Sequence, residues 1–189
     1  IKLKSKKGNI KKWWFLAPIF GTIVFIALYI LATLFYPGGS QIDHNSIGFS
    51  WVNNYWCNLL NEIAINGEIN SARPIALTGM IVLNISLSVF WYLFPRNLEI
   101  STSIKKVVQI SGILSMVISM FIFTKYHDII INSATFFGVI ALVGAFIILY
   151  KIKWNILFRF GIFNLFIVGI NNYFYYDKEL ITYLPVIQK

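Results

Sequence analysis

Few side chains in this sequence could do chemistry: His44 and His127, the single cysteine Cys57, and the carboxylates of Glu62 and Asp128. Two imidazoles with a thiolate or carboxylate would satisfy zinc or another transition metal, which takes nitrogen and sulfur ligands in small sets. His127 and Asp128 are adjacent, and a carboxylate beside an imidazole can orient it for proton transfer. Asn54, Asn58 and Glu62 recur every four residues, a spacing that would align them on one helix face as a polar binding surface. None of this spacing names a reaction. The chain has no H-E-x-x-H, no C-x-x-C, no G-x-S-x-G elbow, no glycine-rich phosphate loop and no dinucleotide fingerprint. No cofactor and no metal are therefore expected, with His44, His127 and Glu62 the only metal candidates. Cys57, being single, provides no internal disulfide.

The elements that must position these groups are dictated by composition. Of 189 residues, 58% are hydrophobic and 17% aromatic, and only 12% carry charge, which places the chain in the membrane class. About 20 apolar residues cross a bilayer as a helix. Residues 15–36, 74–94, 107–124 and 129–150 are uncharged apolar runs, and 154–176 is interrupted only by Arg159 near its start. The expected fold is all-α, a polytopic transmembrane bundle of five spans forming one domain over residues 1–189. Residues 177–189 read as the start of a sixth span, expected at or beyond Lys189. The first apolar run is a retained helix, because it is too long for a secretory signal and no small-residue cleavage site follows it.

Charge gives the orientation. Residues 1–14 are a basic tail with six lysines; the loop at 95–106 adds Arg96, Lys105 and Lys106, and Lys151, Lys153 and Arg159 bring that side to twelve basic residues, against four on the other side. Lys and Arg accumulate in cytoplasmic loops, so the N-terminus is expected in the cytoplasm, with the chain in a bacterial inner membrane. The formal net charge of +9 then faces anionic inner-leaflet lipid. The basic residues form no single soluble face for nucleic acid.

The long connection at 37–73 falls on the outer side, and long loops tend to carry structure or function. On a 3.6-residue period Val52, Trp56, Leu59, Leu60 and Ile63 gather on one side, and Asn53, Asn54, Cys57, Asn58, Asn61 and Glu62 on the other. Ser50 suits an N-cap. The expectation is an amphipathic helix lying on the membrane surface or over the bundle, with Asn54, Cys57, Asn58 and Glu62 outward.

The stretches YPGGS at 36–40, NYWCNL at 54–59, NGEINSARPIALTGM at 66–80 and HD at 127–128 resemble the polytopic membrane family catalogued as domain of unknown function 998. In that family the second motif reads like N-Y-x-S-D-L, so Cys57 stands at a serine position and Asn58 at an aspartate position. The resemblance implies several membrane helices and no established activity. It also implies that this chain lacks a Ser-Asp pair, and an amide cannot replace a carboxylate as general base.

Within the spans, Ser111, Ser115 and Ser119, and likewise Ala134 and Gly138, recur every four residues. Small residues so placed let helices approach closely, within the chain or against another membrane protein. The scattered asparagines, Asn84 among them, suit interhelical hydrogen bonds. The leading functional reading is a non-catalytic accessory or interaction subunit whose partners are lipid and another membrane protein, met through the third helix or the outer loop. The alternatives are a membrane-surface hydrolase or metalloenzyme using the outer His, Glu and Asp, and a small transporter or lipid-binding bundle.

Overall fold

A computed structural model describes residues 14, 16–96, 98–176 and 183–187. Among these the chain is all-helical: α1 Ala17–Thr33, α2 Arg73–Leu93, α3 Thr102–Ser119, α4 His127–Lys151, α5 Asn155–Tyr176 and the short α6 Leu184–Ile187, with one 3-10 turn, η1 Trp56–Leu60. No strand occurs among the described residues; two isolated antiparallel bridges, Gly38 with Ile47 and Ile63 with Ile69, lie in the α1–α2 connection. The basic tail lies outside the described residues apart from Trp14. The expected sixth span is described only at 183–187, where α6 forms.

Each of the five apolar runs is a helix, but the boundaries move where charge was used to mark them. α3 begins at Thr102 instead of Val107, because a helix continues through lysines that extend into solvent while Ile104 packs inward. By length and composition, α2 and α4 are long enough and apolar enough to cross a membrane; α1 is apolar but shorter, and the 22-residue α5 is apolar over Asn155–Asn171. The 17 residues of α1 rise about 25 Å at 1.5 Å each, at the lower end of the roughly 17–25 residues that cross a hydrocarbon core of about 30 Å.

The chain divides into two compact units, one of residues 1–25 and 80–158, the other of 26–79 and 159–189. In the first, α3 and α4 form an antiparallel hairpin through the small residues. The Ser115 hydroxyl donates to the Ala134 carbonyl at 2.8 Å, and a Cβ at Gly138 would sit 3.1 Å from the Ser115 Oγ. A Cβ at Gly112 or Gly144 would collide with Trp91 or Val108. Trp91, Val108, Ala141 and Ile148 are thereby brought into one buried cluster with Leu98. The Ser119 hydroxyl donates to the buried Asn84 Oδ1 on α2, so both the small-residue face and the asparagine are used inside the chain.

In the second unit the last turns of α1 meet the first turns of α2. A Cβ at Gly79 would approach the Tyr29 ring and Leu28 at 3.1–3.3 Å, and the Tyr29 ring lies 5.2 Å from that of Trp56. The α1–α2 connection folds above this contact.

Candidate functional site

The connection does not form the amphipathic helix that its periodicity suggests. Trp56–Leu60 makes a single 3-10 turn, and burial departs from the expected faces at four positions: Asn54 is fully buried and Asn58 nearly so, while Val52 and Ile63 are more than half exposed; Cys57, Asn61 and Glu62 are exposed as expected. The physical reason is that the asparagines satisfy backbone groups of an irregular loop, which a buried loop requires and a helix would not. Leu59 and Leu60 are buried as expected.

The glycines of the first motif allow the fold-back. Gly39 has φ 82°, and a Cβ there would collide with the Asn66 backbone; its N–H donates to the Ser46 carbonyl at 2.7 Å, and the Asn66 N–H donates to the Gly38 carbonyl at 3.2 Å. Gly67, at φ 88°, turns the Asn66-Gly67 hairpin, and the Ala64 N–H donates to the Glu68 carbonyl at 2.9 Å. Residues 37–48 and 62–70 are thus two short ribbons, each closed by one antiparallel bridge and joined to each other through the Asn66 N–H, with the η1 region bonded to both.

Three asparagines hold the ribbons together. Asn54 accepts from the Ser50 N–H at 2.8 Å and donates to the Gly39 carbonyl at 2.8 Å. Asn58 Oδ1 accepts from the Tyr55 N–H at 2.6 Å, capping η1. Asn70 Nδ2 lies 3.1, 3.2 and 2.9 Å from the carbonyl oxygens of Asn58, Leu59 and Asn61, and its Oδ1 accepts from the Ala72 N–H. At the edges, Tyr36 Oη accepts from the Ile65 N–H, and Ser71 donates to the Phe35 carbonyl.

Glu62 is paired, its Oε1 3.0 Å from the Arg73 Nη2, while Arg73 Nε donates to the Leu60 carbonyl. Cys57 stands at the surface. Protein packed about its sulfur pushes the thiol up from its ordinary value, outweighing the Cys57 and Asn58 N–H groups that lower it. His44 is exposed. His127 Nδ1 lies 3.2 Å from Asp128 Oδ1 at the start of α4, both side chains well exposed. No group of three His, Cys, Asp or Glu side chains able to hold a metal occurs among the described residues.

Of the sequence candidates, Asn54 and Asn58 belong to the interior of this loop, not to an outward face. Asn70, Tyr36 and Arg73 carry as much of its structure and were not singled out from sequence. The available signal was the motif NGEINSARP itself, in which an asparagine precedes a helix start and can bond the backbone two residues on. One open polar cleft of about 480 Å³ lies on the loop, lined by Pro37, Asn45, Ser46, Ile47, Asn66 and Glu68. Comparison with protein-family models, curated proteins and solved structures gives no match for this chain.

Proposed function

We propose that this chain is an integral membrane protein in which α1 to α5 are the spans, and that it acts as a non-catalytic accessory or interaction subunit. The observation that carries the reading is the surface of α5. Leu157, Phe160, Ile162, Phe163, Leu165, Phe166 and Val168 are all exposed, and at 3.6 residues per turn they point in every direction around the helix. A helix apolar on all sides belongs inside a protein core or a bilayer. Here the apolar medium lies outside the chain, and lipid fits it without further assumption.

The functional half of the reading rests on what the loop residues do. Side chains that could have formed a polar catalytic face, Asn54 and Asn58, are occupied with backbone groups, leaving a small, internally bonded cap suited to presenting a fixed surface. The twelve-to-four distribution of Lys and Arg supports a cytoplasmic N-terminus and an outer cap in a bacterial inner membrane. The resemblance of the cap motifs to domain of unknown function 998 is part of the same proposal.

The test is membrane extraction followed by purification at native expression with cross-linking. The chain is expected to stay with the membrane at alkaline pH, to need detergent for release, and to carry a fixed partner. Release without detergent would overturn the membrane reading. A metal bound stoichiometrically and lost in His127→Ala would replace the accessory role with the metalloenzyme.

A further inference from the structure

At one end of the α2–α3–α4 unit, the structure assigns a binding site for the phosphate headgroup of an anionic lipid, formed by Arg96, Lys105, Lys106, Lys151 and Lys153. The site rests on the membrane reading above. Its parts are on three elements brought to one place by the core: Phe94, Ile104 and Ile152 all pack against the same buried cluster. Lys105 Nζ lies 3.5 Å from the Arg96 carbonyl, and Gln109 Nε2 donates to the Tyr92 carbonyl at 2.6 Å, tying the end of α2 to the start of α3.

Arg96 is preorganised. Its guanidinium lies 5.2 Å from the centroid of the Tyr92 ring, and its Nη1 donates to the Tyr92 hydroxyl at 2.6 Å. The rest of the fork remains exposed, and a guanidinium so held loses little freedom on taking a phosphate. Within residues 94–106 and 150–154 the one acid is Glu99, and none of the five cations is in a salt bridge among the described residues. Like charges gathered at one end of a helical unit repel one another, and an anion that joins them relieves that repulsion.

Lys153 gives a second, separate indication. It terminates α4 with φ 58°, a left-handed conformation that favours glycine and strains any other side chain. A lysine there opposes local stability, and it places another cation at the same end. The rim also carries an exposed tryptophan, Trp154, of the kind that sits at headgroup level.

The experiment uses the full chain in nanodiscs of phosphatidylcholine with a minor fraction of phosphatidylglycerol, and reads lipid retained on the released protein by native mass spectrometry. Wild type is expected to retain phosphatidylglycerol in excess of its share. Arg96→Ala and Lys105→Ala should each cut that enrichment about fivefold, the effect of one cation near a lipid surface. Lys153→Gly should cut it similarly while raising the unfolding temperature, which no loss of folding can imitate. Lys125→Ala, away from the cluster in sequence and followed by α4, should leave it unchanged. Equal enrichment in all variants, or a loss in Lys125→Ala as large as in Arg96→Ala, would overturn the site with the membrane reading intact. Displacement of the lipid by inorganic phosphate would also overturn it, by making the ligand a soluble anion. Failure of the chain to enter nanodiscs at all would instead sink the membrane reading.

Discussion

The side-chain nitrogen of Asn70 lies 3.1 Å from the carbonyl oxygen of Asn58, twelve residues earlier, and the side-chain oxygen of Asn58 in turn accepts the Tyr55 N–H. The two amides are consecutive links in one chain of hydrogen bonds that fixes η1 against the last ribbon before α2. They differ in polarity of use: Asn70 works as donor and acceptor at once, Asn58 through its accepting oxygen.

Replacement by aspartate separates the two roles. Asn70→Asp would set a carboxylate oxygen against three carbonyl oxygens, and buried groups left unpaired cost about 1–3 kcal/mol each. Asn58→Asp keeps the oxygen that caps η1, and charge-assisted acceptors at N–H groups are the stronger ones. Asn70→Asp is expected to open residues 37–72 to limited proteolysis, with Asn58→Asp resembling wild type. Equal protease resistance in both variants would show that the Asn70 network does not hold the cap.

Glycines in the α2–α3–α4 unit are contact points, and one outside it is not. A Cβ at Gly112 would enter the Trp91 ring, whereas one at Gly169 on α5 meets nothing within 4 Å. Overpacking a core costs about 1–3 kcal/mol, and Gly to Ala in a free helix gains up to about 1 kcal/mol. Thermal unfolding in detergent should therefore fall for Gly112→Ala and hold or rise for Gly169→Ala. A rise in both would mean that the Trp91 contact is absent in the folded protein.

The helices were legible because apolar runs of this length leave the backbone no other way to bond itself, and the small-residue spacing on α3 and α4 named its own contact. The α1–α2 connection was misread for an equally physical reason. Periodicity assumes that apolar side chains turn inward, and here Val52 and Ile63 face out while Asn54 and Asn58 turn in. In a stretch rich in asparagine and glycine, the demand of buried backbone groups for partners outranks hydrophobic burial, and a 3.6 period carries no trace of it. The basic end of α2–α4 was visible as charge, but Arg96 stacked on Tyr92 depends on the turn after α2.

His127 and Asp128 make a pair without a third member. The Nδ1 to Oδ1 distance of 3.2 Å and the strong exposure of Asp128 fit a carboxylate favoured by the N-terminal dipole of α4, an effect of about 0.3–1 kcal/mol. Asp128→Asn should lower stability by no more than that amount, and His127→Ala should leave metal content and cellular phenotype unchanged. A folded, inserted variant that lost phenotype in both cases would restore the enzyme reading.

Cys57 reports both the topology and the packing of the cap. Cys57 is a surface residue, so its thiol should react with a membrane-impermeant maleimide added to spheroplasts, as an outer position requires, and labelling only after lysis would reverse the proposed orientation. The rate carries the second message. Burial of the sulfur's surroundings raises the thiol above its ordinary value, so the thiolate, the reacting form, is scarcer than in a free cysteine at neutral pH. The labelling rate should then climb with pH and level off only beyond the ordinary cysteine range. The same shift has a sign for stability: the folded state holds the proton more tightly, so its contribution is full below the unfolded pKa and declines as pH rises through the folded one. Asn70→Asp, by loosening the residues around η1, should return the profile toward that of a free thiol. A rate that has already levelled off near pH 8 in the wild type would show that the sulfur is not desolvated by the cap.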